Sequence, residues 1–329
     1  MTGTAEETTA PIEKVGAAAR LIAALPNSDG GDEAEGPQQL TPSATGFAAF
    51  LAALWGGNAV AIKAGLNDAP PLRLAWMRFV VGGLITIIWA LWTKQPIRPT
   101  RSELRPLGWL ALLFVTQIAF MNIGQDHTTA SHAVVINTTF PLWTGVISHF
   151  VVPGDRMSPV RTIGTLVAYG GVVVVFSQSL GSSEGTLLGD MLMLGSAVLL
   201  AARQVYTSLT AQSVALPKLL LTQTVVGVAF FLIAGLVLER DTWVVSQRLV
   251  MSILYQGGVI AGFGFIGNMW LLKHYLPSGV TAISLTTPVW GVLLANVVLG
   301  EALSTTLFAG LALVLVGSAL SQWSAARRM

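Results

Sequence analysis

The sequence predicts an all-α integral membrane protein whose ten transmembrane helices form two inverted repeats of five. Three observations predict this fold class: an apolar composition, ten long apolar segments and an internal repeat. Of the 329 residues, 53% are hydrophobic and only 10% are charged, whereas about a quarter of a soluble domain is charged. The mean hydropathy is +0.67. A soluble core does not need this much apolar sequence.

Composition also excludes several classes of function. The formal net charge of +2 is small and its basic residues are scattered between apolar runs, so we expect no nucleic-acid partner. The chain has no cysteine, which excludes disulfides, thiolate metal sites and a cysteine nucleophile. We expect no metal and no cofactor.

The first 45 residues differ from the rest of the chain. They hold seven acidic residues against Lys14 and Arg20, with Pro, Gly, Ser and Thr scattered between them. Such a composition predicts a disordered acidic tail over residues 1–45. No secretory signal peptide is recognisable in it, so we expect the first membrane helix to serve as the uncleaved signal.

Ten apolar segments follow the tail, each close to the roughly 20 residues that cross a ~30 Å hydrocarbon layer as a helix. The predicted spans are residues 47–66, 72–93, 107–125, 130–152, 160–178, 187–208, 217–238, 250–272, 278–299 and 304–324.

An internal repeat divides these spans into two sets. Residues 131–143 and 278–290 share a pattern of Ser, Thr, Pro and Trp at matching positions, and a glycine followed by an acid comes after each copy. Repeated transmembrane halves are typical of transporters whose site lies between the halves. We therefore assign residues 46–180 to the first repeat, 181–325 to the second and 326–329 to a C-terminal tail.

Five is an odd number, so the second half must enter the membrane in the opposite direction from the first. The loop charges agree with this arrangement if the N-terminus is cytoplasmic. The cytoplasmic loops and tail then hold Lys94, Arg98, Arg101, Arg105, Arg156, Arg161, Lys218, Lys273, Arg327 and Arg328, and the outer loops chiefly Arg240 and Arg248. We expect a bacterial inner membrane protein with both termini in the cytoplasm.

The chain resembles the EamA family of the drug/metabolite transporter superfamily over about residues 46–325. The resemblance rests on the following residues: Trp55-Gly56 with Asn58 and Ala61-Ile62-Lys63 in span one, Met77-Arg78-Phe79 in span two, and the repeated loops Gly154-Asp155-Arg156-Met157-Ser158 and Gly300-Glu301-Ala302-Leu303-Ser304. It implies a small-molecule exporter or facilitator that works by alternating access through a central cavity. Known relatives handle amino acids, other metabolites and some toxic compounds.

Polar and aromatic side chains within the spans are the candidates for substrate binding, because an intramembrane polar group is costly unless it has a partner. The alternative for each is packing between helices. The candidates are Trp55, Asn58, Arg78, Gln117, Asn137, Trp143, Arg203, Tyr206, Asn268, Thr286 and Trp290.

Arg203 and Arg78 are the charges that most need an explanation. Arg203 stands opposite Asn58 in the repeat alignment, and Leu200 stands opposite Trp55, so the halves differ here. Two interpretations remain open for each arginine: its head group snorkels to the membrane interface, or it binds a carboxylate or phosphate of the substrate.

Pro141 and Pro288 occupy matching places in the two halves, in the middle of spans four and nine. Proline removes a backbone hydrogen bond and favours a kink, which predicts a pair of hinges. No acidic residue is predicted well inside a span, and carboxylates carry protons in many pumps. A facilitator or weakly coupled carrier is therefore our hypothesis, with His132 and His149 the histidines that could titrate.

These observations favour a transporter of small polar metabolites, with amino acids or related carboxylates preferred because of the intramembrane arginines. An exporter of drugs or toxic compounds is the first alternative, and a transport-inactive membrane scaffold or sensor is the second. An enzyme is not expected, since the spans hold no nucleophile with a base and no cluster of metal ligands. The partners are the substrate and the lipid bilayer, and the glycine-rich faces allow an oligomer without indicating one.

Overall fold

Every regular element that the computed structural model describes is helical. The described residues are 40–151, 158–179, 186–210, 213–274, 283–284 and 286–326. The predicted acidic tail lies almost wholly outside them. The first helix begins at Pro42, ahead of the predicted 47, because Thr41 caps it: the Thr41 hydroxyl accepts a hydrogen bond from the backbone N–H of Ala44 at 3.3 Å.

The described helices are numbered in chain order. They are α1 Pro42–Leu66, α2 Pro71–Trp92, α3 Leu104–Asp126, α4 Ala130–Asn137, α5 Phe140–Val151, α6 Pro159–Ser179, α7 Thr186–Thr210, α8 Leu216–Leu238, α9 Gln247–Ile253, a π-helix π1 Leu254–Gly264, α10 Phe265–His274, α11 Thr287–Leu299 and α12 Thr305–Ala326.

Six helices are long and apolar enough to cross a membrane by their length and composition. They are Pro42–Leu66, Pro71–Trp92, Leu104–Asp126, Ala130–Val151, Thr186–Thr207 and Leu216–Leu238. Shorter apolar helices cover Thr162–Val175, Thr287–Leu299 and Thr305–Leu320. The part of the chain that the structure describes is thus an all-helical protein with the properties of a multi-pass membrane protein.

Two predicted spans are not continuous α-helices. Span four breaks at Thr138 and Thr139, which separate α4 from α5. Span eight is wound as π1 for eleven residues between α9 and α10. π-Helical turns are rare and are frequent at functional sites.

The helices pack in pairs along much of their length. The main pairs are α6 with α12, α3 with α7, α2 with α8, and α1 with α11. Glycines allow the closest of these contacts: a Cβ on Gly171 of α6 would lie 2.6 Å from the carbonyl oxygen of Gly310 on α12. Such small-residue contacts are how membrane helices approach one another.

One end of the helices carries a network of carboxylates, and we call it the acidic end. Its acids are Asp68, Asp126, Asp190, Glu239, Asp241 and Glu301. Two of them hold helix N-termini: Glu239 accepts from the N–H groups of Leu72 and Arg73, and Glu301 from those of Ala130 and Ser131.

The opposite end carries most of the basic loop residues, and we call it the basic end. Lys94, Arg98, Arg101, Arg105 and Lys218 lie here. Lys218 donates to both carboxylate oxygens of Glu103 at 2.9 Å. A hydrogen bond from the backbone N–H of Thr100, together with Lys218, lowers the pKa of Glu103.

Candidate functional site

Arg78 is a buried charge in the interior of the described helices, with 4% of its surface exposed. It lies in α2, and its guanidinium donates to the amide oxygens of Gln256 at 2.7 Å and Asn122 at 3.1 Å. Its Nε has no hydrogen-bond partner. Neither of its partners is charged, so the positive charge is not neutralised where it lies.

The two amides that hold Arg78 are themselves held in place. The amide nitrogen of Gln256 donates to Ser252 at 2.7 Å, and the Ser252 hydroxyl donates to the carbonyl of Ala61 at 2.6 Å. Asn122 donates to the carbonyl of Pro71 at 2.8 Å. Hydrogen bonds between these residues therefore connect α3, α2, π1, α9 and α1. They hold the two amide oxygens in place toward Arg78.

Arg203 of α7 is the second interior guanidinium. It donates to the amide oxygen of Gln223 at 3.4 Å and lies 5.1 Å above the ring of Phe114. These contacts, to α8 and α3, hold the head group between helices rather than extending it along α7 toward the interface. A role for Arg203 in substrate binding remains a prediction.

An aromatic pair connects the two arginines. The Arg78 guanidinium lies 4.8 Å above the ring of Phe79, and the rings of Phe79 and Phe114 are 4.9 Å apart. The ring of Phe231 stacks on that of Phe79, with centroids 6.1 Å apart. Aromatic faces stabilise a nearby cation by roughly 0.5–2 kcal/mol, which offsets only part of the cost of burying it. Both guanidiniums therefore remain cationic groups with little charge compensation from their neighbours.

Neither guanidinium forms an ion pair within the described residues, whereas Arg73, Lys218, Arg248 and His132 each contact a carboxylate. A buried cation that is held only by amides and aromatic faces is a strong donor for a carboxylate or phosphate. This property separates Arg78 and Arg203 from the structural ion pairs at the two ends of the helices.

Three candidate amides have surroundings that differ from those of Arg78 and Arg203. Asn58 and Asn268 are half-buried and make no hydrogen bond to the part of the chain that the structure describes. The side-chain oxygen of Asn137, the last residue of α4, is buried without a partner. Each has unused hydrogen-bonding capacity, which suits a site that is completed by a ligand.

The four candidate aromatic residues lie in different surroundings. Trp143 stacks on Tyr169 with ring centroids 4.6 Å apart, and the Trp143 Nε1 and the Tyr169 hydroxyl both lack partners. Trp55 packs edge-to-face on Phe265. Trp290 is 41% exposed, and Tyr206 packs beside the apolar cluster of Leu107 and Leu110.

Two candidates make contacts within or between helices. Gln117 donates to Ser196 at 3.0 Å across the α3–α7 contact, although its own amide oxygen has no partner. Thr286 is exposed and donates to the carbonyl of Ile283. These contacts match the packing alternative named for polar residues in the spans.

The two predicted hinge prolines stand beside helix starts. Pro141 is the second residue of α5, directly after the break at Thr138 and Thr139, and Pro288 is the second residue of α11. Residues 275–282 and 285, which precede Pro288, lie outside the described residues. The break places Pro141 where its missing N–H costs least, and movement about either proline remains a prediction.

Sequence reasoning missed Gln256, Phe114 and Asp190 as interior partners. Gln256 and Phe114 carry no signal of their own, because an amide or a phenylalanine in an apolar span is common. Asp190, near the start of α7, is 0% exposed and contacts His132. Among the described residues, no group of three or more His, Cys, Asp and Glu side chains could hold a metal ion.

Long apolar helices with charged loops and interior guanidiniums define a membrane-spanning helical protein. The model of the EamA-like transporter family matches residues 44–177 and again residues 187–323. The chain belongs to this family, whose members are transporters and not enzymes.

Individual relatives agree with this assignment. A probable amino-acid metabolite efflux pump of Escherichia coli K12 is 27% identical over 286 residues, which cover 82% of this chain and 92% of that protein. The uncharacterized transporter YvbV of Bacillus subtilis 168 is 28% identical over 83% of this chain and 89% of its own length. The uncharacterized inner membrane transporter YedA of Escherichia coli K12 is 26% identical over 78% and 83%.

A solved structure shares the fold. One crystal structure aligns with a TM-score of 0.63 over 88% of this chain and 99% of the other, at 22% sequence identity. The likeness concerns the fold alone.

Proposed function

We propose that the protein exports small polar metabolites that carry a carboxylate, such as amino acids or related acids, or facilitates their passage. The solute crosses by alternating access through a central cavity between two inverted five-helix repeats. The observation that carries this proposal is the pair of interior guanidiniums, Arg78 and Arg203, which are held by amides and aromatic rings and by no carboxylate in the described residues.

The charge of the site favours this class of solute over organic cations. A cation would meet the repulsion of Arg78 and Arg203, whereas a carboxylate would gain charge-assisted hydrogen bonds. The E. coli and Salmonella typhimurium relatives named as probable amino-acid metabolite efflux pumps agree with this direction and solute class. Asn58, Asn137, Asn268 and Trp143 would line the rest of the cavity.

Two features support the inverted repeat of ten spans. The family model matches the chain twice, once in each half. The helix contacts also come in exchanged pairs: α1 of the first half packs on α11 of the second, and α7 of the second half packs on α4 and α5 of the first. The pairs α2 with α8 and α6 with α12 map onto themselves under the same exchange.

The membrane location follows from the same features. YedA is named as an inner membrane transporter, and the basic loops of this chain are expected in the cytoplasm by the positive-inside rule. We propose the bacterial inner membrane, with both termini in the cytoplasm.

The test is a comparison of extracellular metabolites from cells that overproduce the intact protein, Arg78→Gln, Arg203→Gln or Arg240→Gln. Arg240 is an exposed loop residue, so its variant is the matched control. All four proteins are brought to equal abundance in the membrane fraction. We expect amino acids or organic acids to accumulate outside cells with the intact protein and the control, and at least tenfold less with either interior variant.

Other outcomes would overturn the proposal. Export of apolar cations or dyes without any carboxylate would establish the drug exporter instead. Equal export by all four proteins would remove the guanidiniums from the site, and no difference from cells without the protein would favour the scaffold.

A further inference from the structure

A buried acid and histidine lie together at the acidic end, apart from the interior arginines. The ring Nδ1 of His132 on α4 is 3.0 Å from the Asp190 carboxylate on α7. The hydroxyl of Thr128 donates to the same carboxylate. Asp190 is 0% exposed and His132 is 8% exposed. The pair joins the N-terminal turns of two helices that belong to different halves of the chain.

We propose that the His132–Asp190 pair is a proton-binding latch that holds α4 against α7 and keeps the acidic end closed. A protonated imidazole donates a charge-assisted hydrogen bond to a carboxylate, and such a bond is about twice as strong as a neutral one. Acid therefore strengthens the latch, and its strength is lost as the pH rises and His132 becomes neutral. The proposal rests on the alternating access proposed above.

The position of the pair suits a latch. Glu301 accepts from the N–H groups of Ala130 and Ser131 and from the Ser131 hydroxyl, so the loop after α11 is fixed to the first turn of α4. His132 follows on the same turn. To open the acidic end between α4 and α7, the protein must separate His132 from Asp190 and expose both to water.

Other charged groups around α4 and α7 are engaged elsewhere. Lys63 on α1 donates to the carbonyls of Gln125 and Asp126 at the end of α3, at 2.9 and 3.1 Å. Tyr169 on α6 stacks on Trp143. The charged and titratable residues that the packed elements place at this end are Lys63, Asp126, His127 and Glu301. Glu184 lies just before α7 in the sequence, outside the described residues.

The latch has no counterpart at the opposite end of the helices. In the alignment that pairs residues 131–143 with 278–290, His132 corresponds to Gly279, and in the alignment that pairs Trp55 with Leu200, Asp190 corresponds to Thr45. Neither counterpart titrates. A device present at one end alone makes the two ends of the transporter respond differently to pH.

The test measures the opening of the acidic end directly and needs no substrate. The chain has no cysteine, so nitroxide labels can be placed at Leu188→Cys on α7 and Ala302→Cys beside Glu301, both exposed positions. Pulsed electron-electron resonance then gives the distance distribution in lipid nanodiscs at pH 5.5 and pH 8. We expect the closed-to-open ratio to be roughly fivefold higher at pH 5.5, from the added strength of the charge-assisted bond.

Four variants decide the interpretation. Asp190→Asn and His132→Gln should each make the distribution independent of pH, so that either can serve if the other fails to fold. Thr128→Val removes a hydrogen bond but no titrating group, and Glu184→Gln tests the neighbouring acid; both should keep the response. The proposal is wrong if the distance distribution does not change with pH in the labelled protein that carries none of these four variants. It is also wrong if the pH response survives Asp190→Asn or His132→Gln, or if it is lost in Glu184→Gln. None of these outcomes affects the metabolite assay.

Discussion

Arg78 and Arg203 illustrate what a sequence gives at the scale of single residues. Both stand out as charges within apolar spans, which is enough to name them as candidates. Their partners could not be named, because Arg78 and Gln256 are 178 positions apart and an amide in a span has many neighbours to choose from. The burial of Asp190 could not be predicted for a similar reason: its place near the end of a span says nothing about what covers the side chain.

At the acidic end, Asp68 provides a test that depends on pH. Arg248 donates two hydrogen bonds to this carboxylate and Ser246 donates one, which lowers the pKa of Asp68 to about 2. An unfolded aspartate has a pKa of about 3.9. The stabilisation is therefore complete above about pH 4 and is lost as the pH falls toward 2. Asp68→Asn should lower the apparent melting temperature at pH 7 by about 1–3 °C.

The measurement is thermal unfolding of the purified protein between pH 7 and pH 2.5. The deficit of Asp68→Asn relative to the intact protein should shrink across the acid range. Asp241→Asn, at an exposed position in the same region, should behave as the intact protein does. A constant deficit at every pH would mean that the Asp68 contacts do not depend on its charge.

At the scale of elements, hydropathy located the helices but not their irregularities. The helices could be located because a run of about 20 apolar residues is easy to recognise in a sequence. The break at Thr138 and Thr139 and the π-helix π1 depend on tertiary contacts. In π1, for example, a Cβ on Gly257 would lie 2.6 Å from the carbonyl oxygen of Arg78, so the backbone approaches α2 more closely than a pattern of letters can express.

Two adjacent glycines in α6, Gly170 and Gly171, test the close contact between α6 and α12. A Cβ on Gly171 would lie 2.6 Å from the Gly310 carbonyl, whereas a Cβ on Gly170 would meet nothing within 4 Å. Overpacking costs about 1–3 kcal/mol, so Gly171→Ala should lower the apparent melting temperature by about 3–8 °C. Gly170→Ala should leave it unchanged or raise it slightly, since alanine favours the helix. Differential scanning fluorimetry in detergent compares the two, and equal shifts would contradict the α6–α12 contact.

At the scale of the whole molecule, the internal repeat carried more information than any local pattern. It divided the chain at residues 180 and 181, and the family model matches residues 44–177 and 187–323 on either side of that point. The direction of each half in the membrane is a consequence of counting five spans, and it depends on every span crossing. Of span nine, α11 is the helix that the structure describes, and residues 275–282 lie outside the described part of the chain.

The arrangement of the two halves can be tested because the chain has no cysteine to give background labelling. Asn67, Arg240 and Lys94 are all exposed loop residues. In the inverted arrangement, the end of the first helix of the first half and the end of the second helix of the second half lie on the same side of the membrane. Asn67→Cys and Arg240→Cys should therefore react with a membrane-impermeant maleimide in intact cells, whereas Lys94→Cys should react only after permeabilisation.

Labelling of Asn67→Cys and Arg240→Cys from opposite sides would contradict the inverted repeat. Labelling of Lys94→Cys alone in intact cells would keep the repeat but reverse the protein in the membrane, because the basic end would then face outward against the positive-inside rule.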